Sequence, residues 1–301
     1  LQPWIGTFHS ICSRMLRQGI HRLSTPEGYQ WTQQFGIYDE SDSMAAVKQA
    51  IQQLGLDDKL YVPKRFRYSI SQLKNQLISA HTFASGATDY AAERLGQIYT
   101  AYEAILSAHN ALDFDDLLKK SVELLSQQAE IRSFYHQQFS HVLIDEFQDT
   151  NDAQYTWAKL LVEPCEAELL NAPMDWTGRS FTVVGDVDQS IYSWRGANFR
   201  ILLNFQRDFP QAALIKLEQN YRSSGNILQL ANQLIAHNHE RLDKTLIAVK
   251  GQGRPTTGGH PKGRRLEGHL VNAAKGIETA NLVTCAEIAQ QAHAMAMRRA
   301  A

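Results

Sequence analysis

The segment richest in chemistry is LIDEFQDTN at 143–151, where an apolar run delivers two adjacent carboxylates, Asp145 and Glu146. Open α/β sheets place their ligand chemistry at such strand ends. Asp145 offers the hard oxygen donor that Mg²⁺ takes, directly or through water. Glu146 is suited to orient and deprotonate a water that attacks a γ-phosphate. Alone, Asp-Glu after an apolar run reads equally well as a solvated strand end. A second segment, VVGDVDQSIYSWRGA at 183–197, ends an apolar run in Gly185-Asp186 and continues into a loop bearing Gln189, Tyr192, Trp194 and Arg195. Gln189 can sense a phosphate or a bound water by hydrogen bonds. Tyr192 and Trp194, two positions apart and followed by Arg195, make a platform on which nucleobases stack. An isolated Tyr-x-Trp more often closes a core edge, but the polar, glycine-bounded loop favours exposure. In the third segment, LEQNYRSSGNIL at 217–228, Arg222 stands where a strand gives way to a Ser-Ser-Gly helix start. Its planar fork and permanent charge suit a phosphoryl transition state. Arginine at such a junction otherwise serves most often in a surface salt bridge.

To position these groups, strands must end where the carboxylates begin. HVLIDE from His141 and SFTVVG at 180–185 are short apolar runs typical of buried parallel strands, and 213–217 reads as a third. Helices are expected between and after them at 153–161, 199–209 and 224–237, with a polar loop at 171–180. Strands alternating with helices imply an α/β layer with a mainly parallel sheet. Upstream the chain is predominantly helical. A short helix at 8–17 is led by Thr7 or Ser10. The run 41–56 places Met44, Val47, Ile51 and Leu54 at helical spacing, 69–78 places Ile70, Leu73 and Leu77, and 89–109 places Leu95, Ile98, Tyr102 and Ile105. One further helix runs from Phe114 towards Phe139, opened by LDFDDLL.

The composition, 44% hydrophobic and 20% charged, is that of an ordinary soluble globular protein. No run approaches the roughly 20 apolar residues that span a bilayer, so no membrane partner is expected, and the first residues do not resemble a secretion signal. Cys12, Cys165 and Cys285 are scattered and lie near no clustered His, which points to incidental thiols in a reducing, cytoplasmic setting. The net charge of −1 hides a division. Residues 251–301 hold 7 Lys and Arg against 3 Asp and Glu, and every Phe, Trp and Tyr lies before them. That stretch is rich in Gly, Pro and Arg at its start, has no periodicity, and reads as a disordered or frameshifted tail.

Taken together and in this order, the three segments resemble the UvrD/Rep/PcrA helicases of superfamily 1, matching that family's Walker B motif, its Gln- and aromatic-rich motif III and its motif IV. TFHS at 7–10 resembles the short DNA-contacting motif that precedes them, and LDFDDLL at 112–118 the helix on which the family returns from its helical insertion. The resemblance covers about residues 4–250, and several motifs in the right order make chance agreement remote. It implies ATP and Mg²⁺ as cofactors, with Asp145 on the metal, Glu146 as catalytic base, Gln189 coupling nucleotide to DNA, and Arg222 as the arginine finger. It also implies that Phe8, His9, Tyr192, Trp194 and Arg195 line a channel for single-stranded DNA. The partners implied are single strands and single-strand/duplex junctions, with 3′-to-5′ translocation in repair or replication.

The fold implied is α/β with a RecA-like parallel sheet of the P-loop NTPase type and a helical insertion subdomain, followed by the start of a second RecA-like domain. Residues 1–23 and 113–212 would form the first RecA-like domain without its N-terminal part, 24–112 the insertion, and 213–250 the start of the second domain. No G-x-x-x-x-G-K-[ST] occurs in the 301 residues, and the family places that phosphate loop upstream of TFHS. The 301 residues alone are therefore expected to be inactive as an ATPase. Two alternatives stay open: a non-hydrolysing single-strand-binding module, and part of an AddA/RecB-type helicase–nuclease.

Overall fold

A computed structural model describes residues 3–24, 28–163, 176–193, 196–238 and 242–253. Trp194, Arg195, Cys165, Cys285 and nearly all of the tail expected at 251–301 lie outside the described residues. The chain divides into two units. The first comprises the described residues of Leu1–Ile144, Asp149–Val183 and Tyr192–Asn198; the second comprises Asp145–Gln148, Val184–Ile191 and the described residues from Phe199 onward.

In the first unit, helix α1 (Phe8–Gly19) starts where the Thr7 hydroxyl accepts from Ser10 N–H, supplying one of the bonds that a helix N-terminus otherwise lacks. It buries Cys12, Met15, Leu16 and Gly19 at helical spacing against α6 (Phe114–Gln127). The contact is close: a Cβ on Gly19 would stand 2.9 Å from a Leu124 methyl. Helix α2 (Glu40–Gln53) opens with a reciprocal Asp39–Asp42 capping box. Helix α3 (Pro63–Asn75) begins six residues before the point its apolar spacing indicates, because Pro63 takes the first helical position, where no N–H is needed. Helices α4 (Ala80–Ser85) and α5 (Tyr90–Ala108) follow. The core of this region holds Val47, Ile51, Ile70, Ile98, Tyr99 and Tyr102.

Two three-residue strands, β1 (Gly36–Tyr38) and β2 (Ala111–Asp113), pair in parallel with Tyr38 opposite Asp113. The sequence gives no periodicity over so short a length, and this pair was not expected. Where one helix is expected from Phe114, there are two, α6 and α7 (Ala129–Gln138). They are broken at Gln128, whose φ of −116° and ψ of 85° leave the helical region. Strand β3 (His141–Ile144) pairs in parallel with β4 (Ser180–Val183), His141 opposite Ser180 and Ile144 opposite Val183. Asn151 caps α8 (Asp152–Val162) through a box with Gln154.

The second unit holds α9 (Arg200–Asp208), β5 (Gln219–Asn220), α10 (Gly225–Ile235) and β6 (Ile247–Ala248), with β5 parallel to β6. The run 213–217, expected as a strand, is irregular, and its Leu214, Ile215 and Leu217 are exposed. The extended pairing starts only at Gln219, where β6 supplies a partner. The described chain is thus α/β, with helices and two-stranded parallel sheets. No described helix is long and apolar enough to cross a membrane.

Candidate functional site

Strand β3 hands the chain to Asp145 and Glu146, and both carboxylates are exposed. Glu146 has a φ of +50°, a left-handed conformation that costs a non-glycine residue about 1–3 kcal/mol. Such strain persists only where neighbouring bonds enforce it. Glu146 N–H donates to Asp145 Oδ1 at 3.0 Å, and Phe147 N–H donates to the Val184 carbonyl at 2.9 Å. Phe147 is buried, with its ring edge-on to Phe205 at 5.7 Å.

Gln148 extends the arrangement. Its buried amide donates to Glu146 Oε2 at 2.7 Å and accepts from Asp186 N–H at 3.0 Å. Asp186 in turn accepts from Asp188 N–H at 3.0 Å and from Gln189 Nε2 at 2.8 Å, and pairs with Lys244. A continuous chain of hydrogen bonds therefore runs from the Glu146 carboxylate to the Gln189 amide. Asp145, Glu146 and Gln189 are brought together in this way. Arg222 is placed by a separate device, since Asn220 Oδ1 accepts from the N–H groups of Arg222 and Ser223 at 3.0 and 2.8 Å.

Gly185 is what lets the two acidic loops approach. A Cβ there would lie 2.7 Å from Gln148 Oε1 and 3.1 Å from Gln148 N. Gly185→Ala is expected to destabilise the protein by about 1–3 kcal/mol, because the buried amide must abandon Asp186. Thermal melting checks this, and an unchanged midpoint would show that Gln148 moves freely.

The first unit carries an aromatic site. The His9 and Phe114 rings meet edge to face at 5.7 Å, and Phe114 is 52% exposed although it opens a helix. Burial lowers the pKa of His9, with Asp115 opposing, so the ring stays neutral to lower pH than an ordinary histidine. Phe8 turns the other way, its ring 5.7 Å from that of the buried Trp157. Tyr192 is half-buried, and its carbonyl accepts from Ala197 N–H at 3.3 Å.

The backbone on either side of Phe114 is fixed by Lys74, which is completely buried. Its ammonium lies 2.7 Å from Glu103, 2.8 Å from Asp113 and 2.8 Å from Asp116, and it donates a hydrogen bond to Asp113. Tyr102 donates to Asp113 at 2.7 Å. Burial and the neighbouring Asp116 push Asp113 up to about 7, against the pull of Lys74.

Residues 1–210 match the UvrD/REP helicase N-terminal domain family. The chain belongs to the UvrD/REP helicase family. It is 38% identical over 254 residues to the ATP-dependent DNA helicase PcrA of Leuconostoc citreum, covering 84% of this chain and 31% of that protein. It is also 38% identical over 250 residues to the proteins of the same name from Staphylococcus aureus (strain Mu50) and Staphylococcus epidermidis, covering 83% of this chain and 32% of each. The chain thus spans about a third of the length of these curated relatives. In this member of the UvrD/REP family, sequence reasoning missed Gln148, Phe114 and Lys74. Gln148 and Phe114 sit inside segments already singled out, so the signal was at hand. The partners of Lys74 lie 29–42 positions away and gave none.

Proposed function

We propose that the whole protein is an ATP-dependent DNA helicase that moves 3′ to 5′ along single-stranded DNA in repair or replication. The observation that carries this is the bonded chain from the strained Glu146 through Gln148 and Asp186 to Gln189, a layout that ties a water-activating carboxylate to a sensor loop. The domain plan proposed with it is RecA-like: a first ATPase domain from 1–23 and 113–212, a helical insertion at 24–112, and the start of a second domain at 213–250.

Bound ATP with Mg²⁺ supplies the phosphoanhydride bond and neutralises charge on it. Asp145, an exposed oxygen donor at a strand end, fits a metal that takes one or two protein carboxylates and completes its shell with phosphate and water. Glu146, its carboxylate held by the Gln148 amide, accepts the proton of the attacking water. Gln189 reports the state of the phosphate site to the loop that follows it, and Arg222 stabilises charge that develops on the transferred group. Phe8, His9, Tyr192, Trp194 and Arg195 serve the DNA strand, joined by Phe114.

Unwinding of partial duplexes tests the proposal. With ATP, a substrate with a 3′ single-stranded tail is separated and one with a 5′ tail is not; the reverse would refute the direction. A polypeptide of these 301 residues alone is expected to release phosphate near the background rate, since it holds no phosphate-cradling Gly-Lys loop. Phe114→Ala is expected to weaken single-strand binding by about 1–3 kcal/mol with little dependence on base sequence. The salt slope is unchanged because no phosphate contact is lost. Fluorescence titration with labelled oligonucleotides measures both, and equal affinities would remove Phe114 from the site.

A further inference from the structure

The last turn of α3 presents a second polar residue beside Lys74 that none of these roles uses. The Asn75 amide nitrogen donates to Asp115 Oδ1 at 2.9 Å and to the Ser71 carbonyl at 2.8 Å, and its Oδ1 accepts from Asn151 Nδ2 at 2.7 Å. The orientation is dictated by chemistry. Asp115 can only accept as a carboxylate, and Asn151 Oδ1 is already engaged by Gln154 N–H at 2.9 Å, which leaves its nitrogen to donate. Both hydrogens and the oxygen of Asn75 are thus committed.

Its two distant partners stand at different sites. Asp115 directly follows Phe114, the exposed ring that meets His9. Asn151 caps α8 five positions after Glu146 in the chain, and the neighbouring Thr150 carbonyl accepts from Asn198 N–H at 3.0 Å. A displacement of the first turn of α6 must therefore either break a bond to Asn75 or pass to Asn151. We infer that Asn75 is a positioning residue that links the His9–Phe114 pair to the segment following the Asp145-Glu146 carboxylates, so that an occupied single-strand site raises the rate of ATP hydrolysis through it. The inference rests on the helicase proposal above, and double substitution supplies the coupling evidence that spatial intermediacy lacks.

The test compares basal and oligonucleotide-stimulated ATP turnover of the whole protein. Asn75→Ala, and Asn75→Asp, which sets a carboxylate against Asp115, are each expected to lower the stimulation about fivefold or more while leaving basal turnover and the KM for ATP in place. Asn151→Asp keeps a good cap on α8 but removes the donor to Asn75, and it should lose stimulation likewise even if the Asn75 variants fold poorly. The double variant Asn75→Asp/Asp115→Asn lets one carboxylate accept from both neighbouring amides and should recover most of the stimulation. Normal stimulation in all the single variants, a proportionate fall of basal and stimulated rates, or no recovery in the double variant would each overturn the inference. A wild-type protein that DNA fails to stimulate would overturn the helicase proposal and this inference together. A stimulated wild type with unaltered variants would overturn only the role of Asn75.

Discussion

Lys74→Met is expected to cost about 3–5 kcal/mol of stability near pH 8. Methionine fills most of the volume of the lysine stem, so the loss is electrostatic: Glu103, Asp113 and Asp116 lose the ammonium they share, and Asp116 keeps only the fields of Lys119 and Lys120. The pH dependence has a defined sign. Lys74 is raised above its ordinary value by the three carboxylates despite burial, so it stays charged throughout pH 5–8. Asp113, raised to about 7, keeps in the folded state a proton that the unfolded chain releases near the ordinary carboxylate value of about 3.9. Its contribution to stability therefore falls as pH rises from about 4 to 7. Without Lys74, Asp113 and Asp116 lose the charge that favours their ionised forms, so protonation relieves the variant more than the wild type. The deficit at pH 5 should be smaller than at pH 8, and denaturant unfolding at the two values measures it. A deficit that is small and equal at both would mean that the carboxylates find other partners.

Glu146→Gln is expected to lower the turnover of ATP by the whole protein about 10²–10⁴-fold, with the affinities for ATP and single strands retained. The substitution is nearly isosteric. The new amide oxygen can still accept from Gln148, so the loop, its left-handed backbone and the link to Asp186 remain. What disappears is the basic site proposed to take the proton of the attacking water. Phosphate release under saturating ATP and oligonucleotide measures the effect. Turnover within a few-fold of wild type would assign the base elsewhere.

The parts of the structure legible in the sequence are those written in local patterns. The apolar run before Asp145 became β3, the run before Gly185 became β4, and the spacing of Val47 and Ile51 or of Ile98, Tyr102 and Ile105 gave buried helix faces. The run at 213–217 misled because its hydrophobicity matches that of a strand, whereas a strand is made by a partner, and β6 meets the chain only at Gln219. β1 and β2 escaped notice for the converse reason: three residues show no period, and what makes them strands is each other. The left-handed φ of Glu146 leaves no mark in the residue type, since glutamate is not chosen for that conformation. It follows from bonds to Asp145, Val184 and Gln148 that form only when the loops meet. The Lys74 cluster has the same character. Two of its three acids were visible in LDFDDLL, but their cation comes from another helix.

We propose that the whole protein is a motor whose ATP hydrolysis is stimulated by a single DNA strand. ATP turnover by the whole protein, followed while a single-stranded oligonucleotide is titrated in, tests it most directly. The account predicts a saturable rise in rate that is absent in Glu146→Gln, although that variant still binds the oligonucleotide. A rate that stays flat as the strand saturates the protein would contradict it.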